Sequence, residues 1–168
     1  GSVEIKDLAI HMGKFASKAQ FYEGSRQDAM ATLGALAQLS MKGGASTAAE
    51  AASAAGNFNR DIAQKKAGKA FDKYGVKRYE KDGKVRDPAE IIIDALKATG
   101  GNGQKLQEMF TNQSSRKGVL GAAGIYNAAG GGKAGEDAVR AELSKLRASI
   151  SKTDVETNFQ NSANTRDA

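Results

Sequence analysis

The chain is 168 residues long, enough for one hydrophobic core, and carries a formal net charge of +6. It holds 30 alanines and 20 glycines against six phenylalanines, four tyrosines, one proline and no cysteine or tryptophan. That composition excludes a disulfide framework, a thiolate metal site and a thiol nucleophile. No apolar run approaches the ~18 to 20 residues of a spanning helix, so the chain reads as soluble. Gly1-Ser2 has the form of a tag-cleavage scar, and the expectation is that the chain is a piece of a longer protein.

In chain order, Leu8, Met12, Phe15 and Ala19 recur at helical spacing until Glu23-Gly24-Ser25 interrupts them, with Ser25 placed to cap the next helix. Met30, Leu33, Ala37 and Met41 form one stripe that ends at Gly43-Gly44. Ser46 or Thr47 restarts the chain, Thr47 with Glu50 three residues on as a capping box, and Ala48, Ala52, Ala55 and Ile62 follow. A shorter turn leads to Phe71 and Tyr74, and Gly75 supplies the left-handed residue that stops a helix. Val76 and Tyr79 alternate with polar neighbours up to Asp82-Gly83, and Val85 follows, the pattern of a short β-hairpin over about 76–86. Asp87-Pro88-Ala89-Glu90 sets an N-cap carboxylate, a first-turn proline and a glutamate ahead of Ile91 to Ile93.

Pro88 to Thr99 is a helix stopped by Gly100-Gly101, and Leu106, Met109 and Phe110 mark a brief amphipathic turn or two. Ser114 or Ser115 opens a helix bearing Val119, Ala123 and Tyr126, and Gly130 to Gly132 is the clearest hinge. Val139, Leu143, Leu146 and Ile150 then make the cleanest amphipathic stripe of the chain. The expected architecture is all-α: a multi-helix domain over 3–150 with small-residue helix packing and one hairpin insertion. Residues 151–168 form a polar extension, disordered or the start of a longer helix, with Val155 and Phe159 its only large apolar residues.

The charge is concentrated. Lys65 to Arg86 holds nine basic and three acidic residues, a net of +6 that equals the excess of the whole chain. Tyr74 and Tyr79 lie among these charges. Lys73, Lys77, Arg78, Tyr79, Lys81, Lys84 and Arg86 are the candidate binding surface. A solvated hairpin whose lysines keep an edge from pairing explains it. A helical nucleic-acid-binding module, with basic groups and interleaved aromatics, is the alternative, and an acidic protein surface would also fit.

Candidate chemistry is sparse. His11 is the only histidine, which leaves no triad and removes most zinc sites. Gly130-Gly131-Gly132-Lys133 is no phosphate loop, because Asn127 stands where the first glycine belongs and Ala134 follows the lysine. Glu80/Asp82 flank a turn, and Glu136/Asp137 sit where a helix dipole favours acids. Asp82 lacks the alternating oxygen ligands of a calcium loop, since Lys84 and Arg86 follow it. No catalytic, cofactor or metal residue is assigned, and no enzyme activity is expected.

The order F-x-x-Y-G-V, D-G-K-V-R-D-P and E-I-I-I-D-A-L from Phe71 to Leu96 resembles the globular core region of phage tail tape-measure proteins. Ala31 to Glu50 and Gly118 to Tyr126 fall where that family has small-residue helices, so the resemblance spans Ala29 to Leu146. It implies a virion structural protein that sets tail length and takes part in tail assembly and DNA ejection. The implied partners are tail-tube and tail-tip proteins and further copies of itself, with DNA the less favoured partner and membrane contact confined to ejection. The implied location is the virion tail, and the host cytoplasm during assembly.

Overall fold

The computed structural model describes residues 26–151. The expected helix through Leu8 to Ala19, the Ser25 cap, His11 and the extension beyond residue 151 lie outside them. Seven helices follow in order: α1 Arg26–Lys42, α2 Ala48–Ala63, α3 Lys65–Lys73, α4 Pro88–Thr99, α5 Gly103–Met109, α6 Gln113–Ala128 and α7 Gly132–Ser151. The all-α expectation is met. Among the described residues no helix is long and apolar enough to cross a membrane.

Glycine makes the packing of α1 on α6 possible. A Cβ on Gly118 would stand 3.3 Å from the Leu36 carbonyl oxygen, and one on Gly121 would run into the Leu39 carbonyl. At the end of α1, a Cβ on Gly43 would strike the Lys117 carbonyl. The two helices therefore meet backbone to backbone, with Leu33, Leu36, Leu39, Val119 and Ala122 buried beside the crossing. Alanines do similar work on α2, where Ala51, Ala52, Ala54 and Ala55 are buried.

Three phenylalanines fill the centre. Phe58 of α2 stacks on Phe110 at the end of α5, with centroids 5.5 Å apart, and Phe71 of α3 meets Phe110 edge-on at 5.5 Å. Such ring pairs add ~0.5 to 1.5 kcal/mol beyond their buried area. Ile91, Ile92, Ile93 and Leu96 complete the core from α4. The aromatics thus collect at one point of a core otherwise built from aliphatic residues and alanines.

Local signals set the ends of these helices. The Thr47 hydroxyl accepts from the Glu50 amide (3.1 Å), as a capping box requires, but the Glu50 carboxylate turns to the Ser46 amide (3.1 Å) and the Lys117 ammonium. Gly75 has φ 69° and ends α3 in a Schellman motif: its amide donates to the Asp72 carbonyl (3.1 Å) and the Val76 amide to that of Phe71 (2.9 Å). The Asp87 carboxylate caps α4 by accepting from the Ala89 amide (2.9 Å), with Pro88 next. For α6 the cap is Asn112, whose side chain accepts from the Ser114 amide (2.8 Å). The expected Ser114 or Ser115 cap is displaced because Ser115 points into the core, where its hydroxyl donates to Asp61.

The expected β-hairpin is absent. Residues 76–87 form a turn closed by a single antiparallel bridge between Tyr79 and Val85. Its two ladder bonds run from the Glu80 amide to the Lys84 carbonyl (2.8 Å) and from the Arg86 amide to the Arg78 carbonyl (2.9 Å). No strand can grow from it, because both arms are taken at their outer ends. The Val76 amide is spent on the α3 cap, and Asp87 is already the cap of α4.

Tyr126 joins α6 to α7. Its hydroxyl accepts from the Gly132 amide (3.0 Å) and its carbonyl from the Gly131 amide (2.9 Å), while Gly135 of α7 lies against its ring. Val139 and Leu143 are buried and Leu146 packs on the core, as the stripe predicts. Four ion pairs also tether α7: Glu136 with Lys97 (3.6 Å), Arg140 with Glu90 (2.5 Å), Glu142 with Lys42 (3.1 Å) and Arg147 with Asp87 (3.6 Å).

Candidate functional site

The candidate surface lies on the 76–87 turn, and the structure divides it by residue type. Its arginines face inward. Arg78 donates through Nη1 to the carbonyl oxygens of Ile62 (2.7 Å) and Gln64 (3.3 Å), which close α2. The Ile62 carbonyl is among the last of α2, at the negative end of its dipole, so a guanidinium suits it, and Gln64 is the residue that joins α2 to α3. The group lies between the rings of Phe71 (5.6 Å) and Tyr79 (5.1 Å), and Gly68 leaves it room: a Cβ there would come within 2.8 Å of Nη2. Arg86 bonds the Lys77 carbonyl and the Asp94 carboxylate, each at 2.9 Å, with Glu80 at 3.7 Å. It ties the two arms of the turn to each other and to α4.

Lys73 belongs to a different cluster. It pairs with Glu108 of α5 at 3.1 Å, and the Tyr74 hydroxyl donates to the same carboxylate. The hydroxyl and then the ammonium hold Glu108 below the ordinary carboxylate range, and Glu108 in turn raises both Lys73 and Tyr74. Of the seven candidates, then, Lys77, Lys81, Lys84 and Tyr79 face solvent, Lys73 is exposed but paired with Glu108, and Arg78 and Arg86 are half-buried against the fold.

A shallow depression of about 440 Å³ opens beside the turn, lined by Gly75, Lys77, Tyr79, Glu80, Lys81, Arg86 and Asp94. A second, of about 350 Å³, lies between α4 and α7, where Arg140 and Arg147 stand over Ile93 and Leu143. Glu90, beside Arg140, is held below its ordinary range by that guanidinium. Among the described residues no group of three His, Cys, Asp or Glu side chains could hold a metal ion.

One cluster escapes sequence reasoning altogether. Asp61, 1% exposed, accepts from the Ser115 hydroxyl and from the Asn112 amide (3.3 Å), so its carboxylate sits at the N-terminus of α6. Both are buried, and the carboxylate accepts from groups at the cap and in the first turn of α6, so the pair acts as a cap for that helix. Its two members are 54 residues apart, and only an acid on the apolar side of an alanine-rich helix hinted at it. The acid pairs noted in the sequence are likewise bound to neighbours: Asp82 accepts from the Lys84 amide (3.0 Å), Glu136 pairs with Arg140 (3.3 Å) and Asp137 with Lys133 (2.7 Å). No protein-family model, curated protein or solved structure matches the chain.

Proposed function

We propose that the chain is a folded segment of a phage or prophage tail tape-measure protein, with a structural and non-catalytic role in tail assembly, tail-length control and DNA ejection. The unit from Phe71 to Leu96 carries this reading. The residues that give it its likeness to the family each serve the fold. Gly75 stops α3, Arg86 ties the turn to Asp94, Asp87 caps α4, and Ile91 to Ile93 are buried. A segment written for shape, with no reactive group poised in it, suits a protein whose product is an assembly.

The segment is a docking portion and not the ruler. An uninterrupted helix rises ~1.5 Å per residue, so residues 26–151 would span about 190 Å if drawn out. Here seven helices share one core. Partners in this reading are the tube and tip proteins and further copies of the chain, in the virion tail and, during assembly, in the host cytoplasm.

The test is an internal deletion of residues 26–151 from the parent gene, with tails measured by electron microscopy. The expected outcome is failed or aberrant assembly with no proportional shortening. Regular tails about 190 Å shorter would make the segment part of the ruler. Its absence from purified virions would overturn the assignment itself.

A further inference from the structure

Lys65, Lys66, Lys69, Lys77, Lys81 and Lys84 are all exposed, and none makes an ion pair among the described residues. Two segments supply them, and Arg78 makes the segments one surface. Its guanidinium is bonded to the Gln64 carbonyl, one residue before Lys65, and lies against Gly68, one residue before Lys69. Lys77 and Tyr79 flank it in the chain, and the Tyr79 hydroxyl lies 3.4 Å from the Ile62 carbonyl. Three of the cations thus stand on a turn fixed at both arms by arginine, and three on the start of α3 to which Arg78 ties it.

The chemistry of this surface favours one kind of partner. A stable protein interface needs a desolvated apolar or aromatic centre and is depleted in lysine. Tyr79, 40% exposed, is the only large hydrophobic side chain on the surface of the described residues. A phosphodiester chain needs only cations, and it gains affinity by releasing its counterions. Tyr79 adds a further preference. One side of its ring carries the Arg78 guanidinium, and the ring helps line a depression of about 440 Å³ that Lys77 and Lys81 also line. Arg86 there is occupied by Asp94 and Glu80, which leaves the two lysines as the uncommitted charges. An aromatic ring between lysines offers a stacking face to an unpaired base and cations to the phosphates on either side.

We propose that the surface formed by the start of α3 and the 76–87 turn binds single-stranded nucleic acid without sequence preference, Tyr79 stacking on a base and the six lysines holding the backbone. This goes beyond the tail-assembly reading and does not rest on it.

The experiment is fluorescence anisotropy of the full chain with a labelled oligodeoxythymidylate of about 20 nucleotides, titrated between about 50 and 200 mM salt. Lys65→Gln/Lys66→Gln/Lys69→Gln and Lys77→Gln/Lys81→Gln/Lys84→Gln are each expected to weaken binding about tenfold or more and to reduce the salt slope by about 2. Tyr79→Ala should cost about tenfold and Tyr79→Phe should restore it. Lys105→Gln/Lys145→Gln, which removes two exposed lysines elsewhere, should stay within about twofold, and circular dichroism should show all variants folded. Absence of salt-dependent binding by the wild type, or an equal loss in the Lys105/Lys145 variant, would overturn the proposal. Equal affinity for a duplex with no effect of Tyr79→Ala would also overturn it, as would poly-glutamate competing charge for charge.

Discussion

The crossing of α1 with α6 and the turn at 76–87 are both held at close range, by opposite means. At the crossing, contact depends on what is missing, since Gly118 and Gly121 have no side chain to keep the Leu36 and Leu39 carbonyls away. At the turn, contact depends on what is added, two long guanidinium groups that reach carbonyls and carboxylates no backbone amide could reach. The first arrangement tolerates no added volume and is indifferent to charge. The second tolerates volume at its solvent side and fails when a fork of donors is lost.

Gly121→Val should have the largest effect, because the α1 backbone must retreat from the added methyl groups. A loss of about 3 kcal/mol is expected in urea melts, at the upper end for overpacking. Arg78→Ala comes next, at about 2 kcal/mol, since the Ile62 and Gln64 carbonyls lose a charged donor. Arg78→Lys should not restore it, as a lysine lacks the fork and the flat face between Phe71 and Tyr79. Restoration by lysine would show that the charge alone matters there.

The Glu50 to Lys117 contact adds a pH-dependent effect beside the crossing. Lys117, and next the Ser46 amide, pull the Glu50 carboxyl down from 4.5 to about 2. Because the folded value lies below the unfolded one, this stabilisation is complete above pH 4.5 and is lost as pH falls toward 2. Thermal melts of wild type and Lys117→Met should therefore differ most at neutral pH and converge on acidification. Curves that remain parallel would show that the pair contributes no acid-sensitive stability.

The smallest effect is expected from Lys77→Gln/Lys81→Gln/Lys84→Gln, within ~0.5 kcal/mol per site by thermal denaturation. Each site should cost less than the roughly 1 kcal/mol of Asp87→Ala, which removes a helix cap. A triple variant that loses more than about 1.5 kcal/mol, the sum of three ordinary surface changes, would place the lysines in the frame of the fold beside the arginines.

Much of the frame was legible because it is local. Gly75, Asp87-Pro88 and Thr47 with Glu50 act on neighbours within five residues, and the stripes Met30-Leu33-Ala37 and Val139-Leu143-Leu146 meet the core where helical spacing puts them. The hairpin was misread because the apolar residues Val76, Tyr79 and Val85 around a turn do not tell how many amides remain for a ladder. The division of the candidate surface by residue type was not legible, because counting charge treats arginine and lysine alike. Their chemistry separates them: the planar, weakly hydrated guanidinium is the cation that tolerates burial between rings, and the ammonium stays in water. Gly68, a small residue in a basic helix, was the one sequence mark of Arg78's berth. The Asp61 to Ser115 contact joins distant parts of the chain, and no spacing within either helix names the partner.

The four tethers of α7 have a mechanical consequence. Counted back from Ser151 they are met at Arg147, Glu142, Arg140 and Glu136, each to a different acid or base on the body of the fold. A force applied at the C-terminal end of α7 loads them one at a time, as a zipper is loaded, and never all together. Each is an ion pair with substantial solvent access, worth ~0 to 1 kcal/mol and weakened by salt. Behind them the Tyr126 hydroxyl makes a single bond to the Gly132 amide. Drawn from that end, α7 gives up its ion pairs and the core contacts of Leu146, Leu143 and Val139 in turn, whereas the glycine crossing of α1 and α6 stays shut until its two backbones are pulled apart.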